Sequence, residues 1–353
     1  MRAYRRAHPT LSVVPLILRS IRPIATVARM DLSVFFAGTG GSVPSSRRGL
    51  PAVLIRRGGE HILIDCGEGT QRQLIKSVGL ADIDSVFITH FHADHWLGLP
   101  GMLKSFALRE RTQPLSVYGP RGLMGLMEQM RFVYGRLPYE LSVVELAPAE
   151  TVARDGYLIG AIPVRHKGEA CYGYALVEAA RPGHLDPELA QRLGIRPGPD
   201  FGRLQRGETV DGVTPEQVLG AVRPGRKVVI SGDTAPCEPL IVAAHESDLL
   251  VHEATFAEEE AERARQTSHS TARQAAEVAC EAQVRMLALT HISSRYPGGE
   301  LREQAREVFP QTEAPRDYDT IEVPFPERGE PRLVRWSERR AREVAPAEPV
   351  AAR

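Results

Sequence analysis

At 353 residues the chain is long enough for one large α/β domain or two smaller ones. Its 44 basic and 44 acidic residues cancel, so overall charge selects no partner, and nucleic-acid binding would need local clusters of Lys and Arg. Cys66, Cys171, Cys237 and Cys280 form no Cys-X-X-Cys pair, which suits a reducing compartment and argues against a zinc ribbon. No apolar run approaches the ~20 residues of a transmembrane helix.

Residues 1–29 hold six arginines and no acidic residue, and read as an extension without a fold ahead of a functional start at Met30. An organelle-type targeting peptide ranks behind that reading. An export signal using Arg5 and Arg6 ranks third, because Leu11 to Leu18 is short, contains Pro15 and is closed by Arg19. The first strand is expected just after Met30, over Asp-Leu-Ser-Val-Phe-Phe. It leads into a glycine-rich loop from Gly38 to Gly49. This stretch fits neither a P-loop nor a dinucleotide fingerprint, and two readings stay open: a tight turn needing positive φ, or a phosphate contact through Arg47 and Arg48.

Ile62-Leu63-Ile64 is a short buried-type strand ending at Asp65, which reads either as a carboxylate orienting a ligand histidine or as a turn former, and Gly69 to Val78 reads as helix. The densest stretch follows. Val86, Phe87 and Ile88 form a strand-type run, and His90, His92, Asp94 and His95 fall within the next seven residues. If the strand continues, His90 and His92 leave on one face, and Asp94 and His95 reach the same cavity from a turn. Leu97 to Leu108 is expected to be a helix packed on the sheet, and Met124, Met127 and Met130 are expected in the core.

His166 again closes a strand-like run. Residues 182–210 then interrupt the alternation with short amphipathic pieces between Pro-Gly and Gly-Pro, as expected of an arm standing off the domain. From Arg192 to Arg206 the arm has four arginines (Arg192, Arg196, Arg203, Arg206) and one acid, Asp200, and reads as a basic patch or a solvated insertion. Asp233, His252 and His291 each follow a further apolar run. Residues after strands gather at one edge of an α/β sheet, so these ligand types can converge although they lie far apart in sequence. Thr271 and Gln274 are spaced as a capping box, which places His269 beside a helix N-terminus that lowers an imidazole pKa unless a carboxylate such as Glu253 offsets it. Residues 337–353 show no apolar period and are expected to be a disordered tail.

His90, His92, Asp94, His95, His166, Asp233 and His291 make seven candidate ligands. They are too many for one tetrahedral ion and suit two ions sharing a carboxylate, with zinc favoured and manganese second. Two such ions can hold a bridging hydroxide and clamp a phosphoryl group in line, so the chemistry is hydrolytic.

Over about Met30 to Trp336 the sequence resembles the metallo-β-lactamase superfamily, through His90-X-His92-X-Asp94-His95 with Asp65, His166, Asp233 and His291. Within it the chain resembles ribonuclease Z, the endonuclease that matures transfer RNA 3′ ends. That narrower likeness rests on His252-Glu253-Ala254-Thr255, Ser268-His269-Ser270-Thr271, Thr290-His291-Ile-Ser-Ser-Arg295-Tyr296, and the arm at 182–210, which resembles the family's exosite for the transfer RNA elbow. The resemblance implies a four-layer αββα sandwich with a protruding arm, two Zn²⁺ per subunit (or Mn²⁺), a homodimer acting on precursor tRNA, and a cytoplasmic location. His90, His92 and His166 would hold one ion and Asp94, His95 and His291 the other, with Asp233 bridging. His269 would act as general acid or orienting group, supported by His252 and Glu253, and Asp94 would help position the nucleophile. Arg47, Arg48, Arg192, Arg196, Arg203, Arg206 and Arg295 are the expected RNA contacts. Where many relatives read Pro-X-Lys-X-Arg-Asn, this chain reads Pro44-Ser45-Ser46-Arg47-Arg48-Gly49, without the lysine and asparagine. A small-molecule phosphodiesterase or arylsulfatase of the same fold, and a non-catalytic RNA-binding protein, are the competing readings.

Overall fold

A computed structural model describes residues 31–80, 83–167 and 170–344; the expectations for 1–29 and for 345–353 lie outside it. Two mixed sheets stack face to face. The eight-stranded sheet has the order β15 (Arg332–Val334), β14 (Thr320–Glu322), β1 (Leu32–Gly38), β2 (Ala52–Arg57), β3 (Glu60–Ile64), β4 (Ser85–Phe87), β5 (Leu115–Gly119), β6 (Leu141–Glu145). The seven-stranded sheet has the order β13 (Thr312–Glu313), β12 (Leu287–Thr290), β11 (Leu249–Glu253), β10 (Lys227–Ile230), β9 (Tyr172–Glu178), β8 (Tyr157–Pro163), β7 (Thr151–Arg154).

Strand alternation divides the apolar residues between layers. In β1, Val34 and Phe36 face the second sheet, where they meet the cluster containing Tyr174, Ile230 and Val251. Phe35 and Ala37 point the other way and are covered by Leu99, Met102, Leu103 and Phe106 of the helix Gly98–Leu108. On the far face Leu250 and Leu289 pack against Ala272, Ala275, Ala276 and Ala279 of the helix Ala272–Glu281. The expected αββα sandwich is thereby built. Each sheet contains a parallel block, β3 to β6 and β10 to β13, whose carboxyl ends carry most of the candidate ligands.

The opposite end is closed by charge. Glu178 at the end of β9 accepts from Arg57 Nε (2.8 Å) in the first sheet and from Arg226 Nε (2.8 Å), and all three residues are buried. The Arg57 guanidinium lies 4.5 Å from the Tyr157 ring centroid, which covers part of its apolar face.

Three expectations need correction. Met124 is exposed rather than in the core, because it lies off the side of the helix Leu123–Tyr134 that carries the buried Leu123 and Met127, of which Met127 is buried as expected. The tail does not fray at 337: Trp336–Val344 is a helix, begun where Trp336 N–H donates to Asp319 Oδ1 (2.9 Å) and the indole packs against Tyr318. The arm is longer than residues 182–210 and folds around its own small core of Ala190, Ile195, Leu204, Val210, Val213 and Val218, using the helices Pro187–Arg192, Pro199–Gln205 and Pro215–Val218. It replaces the turn between the antiparallel neighbours β9 and β10.

The chain enters and leaves the arm side by side, with Arg181 and Arg223 exchanging backbone hydrogen bonds of 2.7 and 2.9 Å. Glu327 clips both: its carboxylate takes two bonds from Arg181 (2.8 and 3.0 Å) and one from Arg223 (3.1 Å). The Arg181 bonds hold that carboxyl down at about 2, against an ordinary value of 4.5. A depressed folded pKa means the clip is whole above 4.5 and is lost as pH falls through about 2. Protection factors of backbone amides in 181–223 should therefore drop in Glu327→Gln at pH 7, and in the wild type only on acidification below 4.5. Identical protection in the two proteins at pH 7 would remove Glu327 as the clip.

Candidate metal centre

The centre is assembled from strand ends. β4 stops at Phe87, so His90 and His92 do not share a strand face as the sequence suggested. They converge instead through an irregular segment capped by the short helix Ala93–Trp96, with ring centroids 4.6 Å apart. Asp233 follows β10, His166 follows β8, and His291 follows β12 with φ of 55°. Asp65 and Ser268 also adopt left-handed conformations, φ 59° and 60°. Each such non-glycine residue costs about 1–3 kcal/mol, a strain the surrounding packing must hold in place.

The seven expected ligands come together in two groups, His90, His92, His166 and Asp233, and Asp94, His95 and His291, with ligand atoms inside each group within 4.8 Å of one another; Asp233 and His291 also form a third such group with His269. Asp233 joins them. Its Oδ2 lies 3.8 Å from His90 Nε2, 3.3 Å from His95 Nε2, 3.9 Å from His166 Nε2 and 3.2 Å from His291 Nε2. Asp94 Oδ2 lies 3.3 Å from His291 Nε2 and 3.6 Å from His95 Nε2.

Hydrogen bonds behind the imidazoles set their tautomers. His95 Nδ1 donates to Asp65 Oδ2 (2.7 Å), and His166 Nδ1 donates to the Ser268 carbonyl (2.9 Å). Thr89 Oγ1 gives its one proton to Asp65 (2.9 Å), so it must accept from His90 Nδ1 (3.0 Å). Thr255 Oγ1 likewise donates to Glu253 Oε2 (2.6 Å) and accepts from His291 Nδ1 (2.8 Å). Four histidines are thus left with Nε2 lone pairs turned towards one carboxylate oxygen. His90 Nε2 and His95 Nε2 are buried without a hydrogen-bond partner. Lone pairs facing a carboxylate repel it unless a cation lies between, so the donor set fits divalent metal, in nitrogen and oxygen chemistry without thiolate.

The charges agree. Burial works against a charged His95, but Asp233 and Asp65 outweigh it and raise its pKa well above the usual value. Burial and the neighbouring His95 push His90 well below. Asp233 is itself buried, yet His291, His95 and His90 hold it ionised. Without an ion the centre keeps a proton in its place, which metal binding would release.

His269 stands at the edge of this cluster, Nδ1 3.9 Å from Asp233 Oδ2. The capping box forms as expected, with Thr271 Oγ1 accepting from Gln274 N–H (3.2 Å). Burial alone would lower the His269 pKa, but Glu253 Oε1 at 2.7 Å raises it to about 9. His252 does not take part. It follows the alternation of β11 onto the helix-covered face with Leu250, is fully buried, and donates Nδ1 to the Glu253 carbonyl (2.7 Å), so its expected catalytic role is withdrawn.

The arginines divide. Arg48 is committed to Thr39 Oγ1 (2.5 Å) and the Pro315 carbonyl (3.0 Å), which turns it from an RNA contact into a brace. Arg295 is bound by both oxygens of Glu260 at 2.8 Å. Arg203 pairs with Asp200 (3.2 Å) and Glu208 (3.0 Å), and Arg206 with Glu208 (3.1 Å), so the basic patch is half neutralised by an acid just outside it. Arg47, Arg192 and Arg196 are exposed. Thr89 and Thr255, which set two tautomers, were missed as functional residues although both adjoin or lie within the motifs already singled out.

A family model of the metallo-β-lactamase superfamily matches residues 48–251, and with this fold and donor set the chain belongs to that superfamily. Its relatives are narrower than the superfamily. The chain is 43% identical over 302 residues to ribonuclease Z of Methanosarcina acetivorans, covering 83% of this chain and 99% of that protein. It is 46% identical over 306 residues to ribonuclease Z of Haloferax volcanii, covering 84% and 96%. The crystal structure of the short form of human tRNase Z superposes with a TM-score of 0.62 at 28% identity, covering 83% of this chain and 99% of that one. The chain is a member of the ribonuclease Z family.

Replacing Asp233 with Ala removes the oxygen that lies within 3.9 Å of imidazole nitrogens from both groups. The variant should lose bound divalent metal, read by elemental analysis after gel filtration, and lose hydrolytic activity with it; a metal-replete Asp233→Ala protein would refute the bridging position.

Proposed function

We infer that this chain is a metal-dependent endoribonuclease that removes the 3′ trailer from precursor transfer RNA, leaving a 3′-hydroxyl on the tRNA and a 5′-phosphate on the trailer. The observation that carries the inference is Asp233 Oδ2, which lies within 3.9 Å of imidazole nitrogens from both ligand groups, in a chain whose relatives, matched over nearly their whole length, are named ribonuclease Z. His90, His92 and His166 would hold one ion and Asp94, His95 and His291 the other, with Asp233 placed between the two sets; zinc is the metal the donor set favours, and manganese is second. When bound, the ions lower the pKa of water and neutralise charge on the phosphodiester.

The remaining steps belong to the protein. Asp94, whose Oδ2 lies 3.3 Å from His291 Nε2, would help position the attacking water, whose proton is released to solvent as the nucleophile forms. The bond from phosphorus to the tRNA 3′ oxygen breaks, and that oxygen takes a proton from His269, which Glu253 keeps charged. The arm binds the tRNA elbow through Arg192 and Arg196. A homodimer, joined over exposed apolar residues such as Phe132 and Val133, presents each arm to the partner's site. Action on precursor tRNA is consistent with a cytoplasmic location. Among the described residues no helix is long and apolar enough to cross a membrane.

Purified protein with zinc should cleave precursor tRNA after the discriminator nucleotide far more efficiently than a chromogenic phosphodiester. The reverse preference would favour a small-molecule hydrolase. His269→Ala should lower kcat by roughly 10²- to 10⁴-fold with metal content unchanged; full activity would exclude it as the proton donor. Replacing residues 182–222 with a short turn should abolish precursor cleavage but spare the chromogenic substrate, and equal turnover of the precursor would exclude the arm from RNA binding.

A further inference from the structure

The loop between β1 and β2 is gripped at both ends by one carboxylate outside the metal centre. Asp317 Oδ1 accepts from Thr39 N–H (3.1 Å) and Thr39 Oγ1 (2.6 Å), while Oδ2 accepts from Gly49 N–H (2.6 Å) and Gln73 Nε2 (2.6 Å). Gly40 N–H donates to the Gly49 carbonyl (2.8 Å) and closes the loop between the two held ends. Arg48, bonded to Thr39 Oγ1 from the other side, completes the grip.

The crest of this loop touches two of the three ligands of one metal position. Ser42, at φ 62°, donates its backbone N–H to Asp94 Oδ2 (2.8 Å), the oxygen that faces His291 and His95. Gly41 lies flat against His291, so closely that a Cβ there would fall 2.5 Å from His291 Cε1 and Nδ1. A side chain at Gly41 or a displaced Ser42 amide would thus move His291 or release Asp94. The loop reaches this position through hydrogen bonds rather than side-chain packing: its residues from Ser42 to Arg47 are exposed, and beside the Asp317 grip Gly41 N–H donates to the Ile292 carbonyl (3.2 Å) and Ile292 N–H to the Thr39 carbonyl (3.0 Å).

We propose that Asp317 is a positioning residue for the Asp94, His95 and His291 metal position, acting through residues 39–49 and the Ser42 amide; the proposal rests on the reading of those three side chains as one of two metal positions. Asp317 touches no ligand itself. Its carboxylate fixes the loop ends, the loop fixes the Ser42 N–H, and the N–H restricts Asp94 to one orientation. Partners of this kind behind a metal ligand are worth about 10- to 100-fold in affinity.

Cobalt(II) titration of the metal-free protein, followed by absorbance, resolves the two binding events, and hydrogen exchange of 39–49 in the same metal-free protein reports the loop without reference to activity. In Asp317→Ala one binding constant should weaken about tenfold or more with the other unchanged, and exchange in 39–49 should accelerate. Thr39→Val, which removes only the hydroxyl held by Asp317, gives the same reading in smaller degree and serves if the alanine variant does not fold. Unchanged exchange, or both constants weakening alike, would overturn the proposal. A wild-type chain that takes up one ion only would overturn the two-position reading first, an outcome distinct from a variant that behaves as wild type.

Discussion

The structure depends on an electrostatic problem centred on one buried carboxylate. Asp233 is buried, and the unprotonated faces of four imidazoles are turned to one of its oxygens. Taking a carboxylate out of water costs several kcal/mol unless opposite charge is close, and without a metal the protein supplies that charge only by keeping a proton on the cluster, with His95 raised well above its usual pKa. The backing hydrogen bonds from Asp65, Thr89, Thr255 and Ser268 prevent the rings from turning to relieve the conflict. Rigid lone pairs around a buried anion make a cavity selective for a multiply charged cation. The left-handed backbone at Asp65, Ser268 and His291 belongs to the same design, since in each case the chain bends sharply to aim a side chain or carbonyl at the centre.

Glu253 shows how one buried acid serves several tasks. Oε2 accepts from the Thr255 hydroxyl and so fixes the tautomer of His291, while Oε1 accepts from His269. Two histidines of the candidate centre, His291 and His269, are thereby referred to one carboxylate. Charge redistributed at either side chain is felt at the other through a few ångströms of low-dielectric protein.

Much of this centre was legible because residue type and position agree: histidines and aspartates directly after apolar runs. The capping box around Thr271 likewise signalled the setting of His269. What was not legible depended on geometry finer than the pattern. His252 and Glu253 are neighbours in one motif, but a strand sends neighbours to opposite faces, so only Glu253 reaches the centre. The arginines looked available in a count taken along the chain; Glu208 lies just beyond the counted window, and Glu260 and Asp317 reach Arg295 and the Arg48 loop from distant sequence. The strand expected to run through His90 and His92 stops early, and convergence comes from an irregular turn that no periodicity announces.

The far end of the sandwich is held on different terms from its apolar middle. Arg57, Glu178 and Arg226 join the sheets through buried charge. The hydration of charged groups becomes less favourable on warming, so the penalty of keeping this triad dry falls with temperature while the gain from apolar burial levels off. The closure opposite the metal centre is therefore the part of the sheet contact that heat weakens least.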